Sequence, residues 1–152
     1  MLLPEYTDIK IRQTQDRKPE VLDVLRQRYV ALTPEEWVRQ HFVNYLIHHK
    51  GYPPALMGNE VELCVGSKKL RCDSVLYGKD RQPLAIMEYK AESIPLTHKV
   101  ITQVATYNML LHVPYLMVSN GNQHLCLHFD KGEEKWEYLP DIPDYEDLFL
   151  RS

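Results

Sequence analysis

The stretch "RCDSVLYGKDRQPLAIMEYKA", residues 71–91, decides how the rest of the chain is read. Two apolar runs flank the polar segment "GKDRQ" (78–82), the pattern of two antiparallel strands joined by a hairpin loop. Away from the loop each run ends in charge: Asp73 on one strand, Glu88 and Lys90 on the other. If Tyr77 pairs with Leu84, the numbers of opposite residues sum to 161, so Val75 faces Ile86 and Asp73 faces Glu88. Opposed residues hold their β-carbons about 4.5–5.5 Å apart. Glu88 and Lys90, two apart, project from the same face.

Two opposed carboxylates destabilise a bare sheet, and a divalent cation between them converts that repulsion into coordination. Hard oxygen ligands at this separation suit Mg²⁺, which keeps several waters and takes one or two protein carboxylates together with substrate phosphate. Mn²⁺ is the expected substitute. A lysine beside such an ion can orient a water or stabilise charge on a phosphate oxygen, and the ion itself lowers the pKa of bound water and polarises a phosphoryl group. Those are the needs of phosphodiester hydrolysis. The alternative is a charge ladder of Arg71, Asp73, Glu88 and Lys90 on a solvated sheet face, since structural ion pairs also cluster in this way.

Outward from the hairpin, "EVELCVG" (60–66) alternates apolar and polar residues and predicts a preceding strand. Upstream, "TPEEWVRQHFVNYLIHHKGYP" predicts a helix. Thr33 can cap it, Pro34 suits the first turn, and Glu36 completes a capping box. Val38, Phe42, Tyr45, Leu46 and His49 share one face, and Gly51 and Pro53 end the helix. Downstream, 96–112 predicts a second helix with Val100, Val104 and Leu111 on one stripe. "PYLMVSNG" and "QHLCLHFD" predict strands around the Asn120-Gly121-Asn122 turn, and "KWEYLP" one more. "IKIRQTQ" (9–15) suggests a strand, while "PEVLDVLRQRYVAL" is consistent with either helix or strand. The expected architecture is α/β, a central mixed β-sheet flanked by helices. It would form a single domain over 1–152, with an N-terminal extension (1–28) and an acidic C-terminal tail (141–152) docked as an arm.

The 152 residues suffice for a sizeable core. A net charge of −3 argues against a generic nucleic-acid coat, yet acidic residues are what a metal-dependent nuclease requires. Three cysteines without paired spacing fit reduced thiols, and the absence of a secretory pattern or a membrane-length apolar run gives an expected cytoplasmic location. No phosphate-binding glycine loop or GxSxG motif occurs.

With Asp73 on one strand and Glu88-Tyr89-Lys90 on its partner, followed by "QVATY" with Gln103 and Tyr107 in a QxxxY arrangement, the sequence resembles the PD-(D/E)xK nuclease superfamily in its RecB-like branch. More narrowly, "LTPEEWVRQHFVNYLIHHKGYP", the hairpin and "LMVSNG" resemble the N-terminal nuclease domain of type I restriction enzyme R subunits, over roughly 29–129. The resemblance implies a restriction-endonuclease-like fold and Mg²⁺-dependent cleavage of DNA in restriction, defence or repair. It implies Asp73 and Glu88 as metal ligands, with the Tyr89 backbone carbonyl a third, and Lys90 as the catalytic lysine. Gln103 and Tyr107, on one helix face, would contact the substrate backbone or buttress the lysine. Glu36 is the candidate for a further acidic residue from the first helix, alongside its capping role. Tyr107 could equally be an aromatic on the core stripe of its helix. Cys72 stands where the motif's proline would be.

The R subunits of that resemblance continue into a helicase motor, which these residues do not contain. The expectation is therefore a free-standing nuclease, a subunit of a restriction or repair complex, or a domain with another role. One site would need a homodimer or two visits to cut both strands. The other reading is a noncatalytic nucleic-acid-binding or assembly module that keeps the fold. Finally, His124, Cys126 and His128 lie on one strand face, where they could bind zinc. With Leu125, Leu127 and Phe129 supplying the core, the imidazole face is expected to be the wet side.

Overall fold

The computed structural model describes residues 9–150. The first eight residues of the N-terminal extension and the last two of the tail lie outside that range. Between Lys10 and Leu32 the ambiguous segment resolves into strands. β1 (Ile11–Gln13), β2 (Pro19–Asp23) and β3 (Arg28–Ala31) make a three-stranded antiparallel sheet. "PEVLDVLRQRYVAL" thus folds as a hairpin turning at 24–27, where Asp23 Oδ1 accepts the amides of Leu25 and Arg26. That side-chain-built turn outcompetes a helix.

α1 (Pro34–Lys50) follows, capped by Thr33 and closed by Gly51, whose φ of 72° is the left-handed conformation glycine adopts without a Cβ clash. Then come β4 (Met57–Val65), β5 (Lys68–Tyr77) and β6 (Pro83–Tyr89), α2 (His98–Met109), and β7 (Tyr115–Ser119), β8 (His124–Asp130) and β9 (Lys135–Leu139). These six strands form one sheet in sequence order. Every neighbouring pair is antiparallel except β6 and β7, which run parallel because α2 carries the chain across between them.

α1 covers one face of the sheet through Val38, Phe42, Val43 and Leu46, packed on Leu76, Ala85, Met87, Tyr115, Met117 and Cys126. α2 covers the other with Ile101, Val104 and Ala105 on Val75, Ile86, Leu116, Val118 and Leu127. β7, covered on both sides, is buried at every residue, as expected of a strand at a parallel pairing. α2 is shorter than expected, starting after the Thr97 cap and ending before Leu111. His49 is exposed rather than on the buried face, although its ring stacks on Tyr45. The tail packs back as a short 3₁₀ turn (Tyr145–Leu150), with Leu148 buried and its carbonyl accepting the Tyr115 hydroxyl.

The imidazole face of β8 is not the wet side. Cys126 is buried in the α1-side core and His124 stacks on Phe42, so both faces of β8 are covered. His124 bonds Ser119 Oγ and His128 bonds Glu137. Among the described residues no three His, Cys, Asp or Glu side chains come together to hold a metal, which leaves the zinc reading without support.

Candidate active site

The hairpin register is the one expected from the sequence over most of its length: Ser74 faces Met87, Val75 faces Ile86 and Leu76 faces Ala85. It departs at the loop end, where an irregularity after Leu76 pairs Tyr77 with Pro83 instead of Leu84. At the other end the ladder stops at Ser74 and Met87, one step short of Asp73 and Glu88. There β5 parts from β6. The Asp73 side chain occupies the opening, and its Oδ2 accepts the Tyr89 amide at 2.9 Å. β6 itself continues against β7, with Glu88 beside Val118 and Tyr89 beside Ser119.

The β4–β5 ladder is broken at the same level. Asn59 faces Ser74 and Val61 faces Cys72, but the intervening pair, Glu60 and Asp73, is skipped. Glu60 has a φ of 55°, rare for a residue with a side chain. Both strands exchange faces here. Met57 and Leu76 pack toward α1, whereas Val61, Leu63 and Cys72 pack toward α2, although strict alternation would put all of them on one side. Asp73 therefore stands at a fork in the sheet.

A cavity of about 590 Å³ opens at this fork. The strands contribute Glu60, Asp73, Glu88 and Tyr89, the segment just after β6 contributes Lys90, α1 contributes Glu36 and Arg39, and α2 contributes Gln103. Five of the sequence candidates, Asp73, Glu88, Lys90, Glu36 and Gln103, thus line one space together with Tyr89. Tyr107 does not line it. It is 45% exposed on the outer side of α2, and so is not on that helix's core stripe either.

Glu36 and Glu88, which both line the cavity, differ sharply. Glu88 Oε1 is buried with no hydrogen-bond partner. Burial first, and then the charge of Asp73, push the Glu88 carboxyl well above the usual carboxylate range. Glu36, by contrast, receives Arg39 Nε and Nη2 at 2.9 and 2.7 Å, Gln40 Nε2 at 2.9 Å, and Arg26 Nη2 at 3.5 Å. The expected capping box is therefore only half made. The Glu36 amide donates to Thr33 Oγ1 at 3.1 Å, but its carboxylate is committed to Arg39, Gln40 and Arg26 and not to the helix start.

Arg39 and Glu60 did not figure among the sequence candidates. The spacing of Glu36 and Arg39 signals a helical i,i+3 pair, but nothing in the sequence signals that the guanidinium reaches across to β5. Arg39 Nη1 donates to the Asp73 carbonyl at 2.8 Å and Nη2 to Glu60 Oε1 at 2.8 Å. Lys90 makes no ion pair among the described residues, and its amide donates to the Ser119 carbonyl.

An α/β core whose central sheet forks at an acidic pair with a neighbouring lysine defines the restriction-endonuclease-like class. The comparisons place the chain more narrowly. Residues 34–143 match the family described as type I restriction enzyme R protein N terminus (HSDR_N), and the chain belongs to that family. Among solved structures it is similar to a fragment assigned as the HsdR subunit of a type I restriction enzyme from Vibrio vulnificus YJ016. The TM-score is 0.55 at 22% identity, covering 79% of this chain and 25% of that one. The chain thus spans about a quarter of the length of that fragment. A DrdV–DNA complex seen by cryoEM matches with a TM-score of 0.46 at 18% identity, over 76% of this chain and 11% of that one. No curated protein sequence matches.

Proposed function

We propose that the chain hydrolyses phosphodiester bonds of DNA in a restriction or defence role, with Mg²⁺ held by Asp73, Glu88 and the Tyr89 backbone carbonyl. The observation that carries this reading is Glu88 Oε1, a buried carboxylate oxygen left without a partner next to a second carboxylate. A buried carboxyl oxygen without a partner is costly, and beside a second carboxylate in an open cavity it is a position that a cation would complete. The donor set, all hard oxygen, fits Mg²⁺ or Mn²⁺. When bound, the ion would lower the pKa of a coordinated water and polarise the phosphoryl oxygen.

The remaining work falls to side chains. The Tyr89 amide fixes one oxygen of Asp73, so that carboxylate is oriented before any ligand arrives. Lys90 lines the cavity, its charge acts on Glu88, and it makes no ion pair among the described residues, so it would orient the attacking water or hold charge on the phosphate. Gln103, which lines the cavity from α2, would bond the substrate backbone. Glu36, spent on Arg39 and Gln40, acts by holding the helical wall rather than as a ligand or base. Cutting both strands would call on a homodimer or on a larger assembly of the restriction type.

The test is nicking of supercoiled DNA in Mg²⁺ or Mn²⁺ by the natural sequence and by Lys90→Ala, with folding checked by circular dichroism. The expected outcome is metal-dependent nicking that falls at least a hundredfold in the variant. Undiminished nicking by folded Lys90→Ala overturns the mechanism. No cleavage of any DNA or RNA, with binding indifferent to metal, makes the chain a nucleic-acid-binding or assembly module instead.

A further inference from the structure

A single buried cation sits beside the break in the β4–β5 ladder at Asp73. Arg39 is 7% exposed and makes four hydrogen bonds within its own fork: two to Glu36, one to Glu60 and one to the Asp73 carbonyl. Burial alone would lower its pKa, but the carboxylates of Glu36 and Glu60 hold it above its ordinary value and firmly charged. In a continuous sheet the Asp73 carbonyl and its neighbours would bond across to β4. Here that carbonyl is claimed by Arg39, while Glu60, the residue opposite, is turned to positive φ and anchored to Arg39 and Arg71 at 2.8 and 2.9 Å. A non-glycine residue held in this conformation is strained. It persists only where the surroundings over-determine it, and two ion pairs do so.

We infer that Arg39 and Glu60 are positioning residues that open the sheet at Asp73 and aim its carboxylate at Glu88. Neither needs to touch substrate. Arg39 fixes the Asp73 backbone from the helical side, and Glu60 fixes Arg39 from the β4 side. Lysine cannot replace the arginine, because one ammonium cannot span three acceptors set around a planar fork. The inference rests on the metal reading for its catalytic consequence, but the positioning itself is a property of the metal-free protein.

The experiment therefore has two readouts on Arg39→Gln, Arg39→Lys and Glu60→Gln, all confirmed folded. The first is hydrogen exchange and the ¹⁵N shift of the Tyr89 amide, which donates to Asp73 Oδ2. The second is Mn²⁺ affinity by calorimetry. Exchange at Tyr89 should accelerate at least tenfold relative to amides in β7. Mn²⁺ affinity should fall at least tenfold in Arg39→Gln, with Arg39→Lys recovering only part of it. Should both Arg39 variants fail to fold, Glu60→Gln on the half-buried partner decides alone. A Tyr89 amide unchanged in folded variants overturns the inference. If the amide moves but the natural sequence binds no Mn²⁺, the positioning stands and the metal reading fails. If Mn²⁺ binds equally to all the proteins while the amide moves, Arg39 and Glu60 do not position the ligand set, and the inference is overturned on that ground.

Discussion

The two walls of the cavity answer the same problem in opposite ways. On the helical wall Glu36 is buried and saturated, with Arg39, Gln40 and Arg26 around both of its oxygens. On the strand wall Glu88 is a carboxyl held protonated beside Asp73, with its buried oxygen bare. A saturated ion-pair network fixes geometry, and removing one partner strands the other charge. An unsaturated carboxylate is a cost to the empty protein that a ligand can relieve. The contrast separates the part of the cavity that holds shape from the part that does chemistry.

The comparison breaks first at Glu88. Changed to Gln, it should lose Mn²⁺ binding by at least a hundredfold in calorimetric titration, while the metal-free protein becomes more stable in urea because a buried acid next to Asp73 is gone. A drop in metal-free stability would mean that Glu88 is structural after all. Next in size, Glu36→Ala should destabilise the protein by about 3 kcal/mol, since Arg39 is left buried and short of a partner. A loss under 1 kcal/mol would show that water re-solvates Arg39 and that the helical wall is not the rigid one. His124 then sharpens the contrast, because it too has a buried unpartnered nitrogen but lies in the α1-side core against Phe42, Tyr45 and Ser119, away from the cavity. Burial lowers its pKa to about 4. The unfolded chain takes up a proton near its ordinary value while the folded one does not. The His124 contribution to stability is therefore whole above pH 6.5 and declines as pH falls toward 4, by on the order of 1 kcal/mol once solvent screening at this half-buried site is allowed for. The difference in stability between the natural sequence and His124→Leu should carry that slope, on top of the opposite contribution of Glu88, whose raised pKa adds stability as pH falls below about 9. The smallest effect is at Thr33, whose replacement by Ala should cost about 0.5–1 kcal/mol by removing the cap of the Glu36 amide. It should leave Mn²⁺ affinity unchanged, because the Glu36 carboxylate does not depend on that cap.

Much of this was legible in the sequence because local rules govern it. The hairpin, its register through Ser74–Met87, the Thr33 and Gly51 ends of α1 and the turn at Asn120 all follow from residues a few positions apart. What escaped was non-local. β2 and β3 looked as helical as extended because Asp23, which organises their turn, is also tied to Asn59, 36 residues away. The imidazole face of β8 read as wet because nothing in its own strand announces α1 above it. Tyr107 had the spacing of a site residue, yet it sits one turn, about 6 Å, further along α2 than Gln103 and beyond the lining of the cavity. Arg39 and Glu60 were hidden most completely, since their meaning exists only where a helix and two strands meet.

One feature reaches beyond the cavity. The turn of the small N-terminal sheet places Arg26 between Asp23 and Glu36, and Glu36 passes the contact through Arg39 to the backbone of Asp73. The bracing of the site is thus borrowed from a sheet lying wholly before residue 34, where the family match begins. A fragment cut to 34–143 would keep every acidic and basic side chain of the motif and lose the far end of its brace. In this molecule the motif and its scaffolding have different borders, and the scaffolding is the larger.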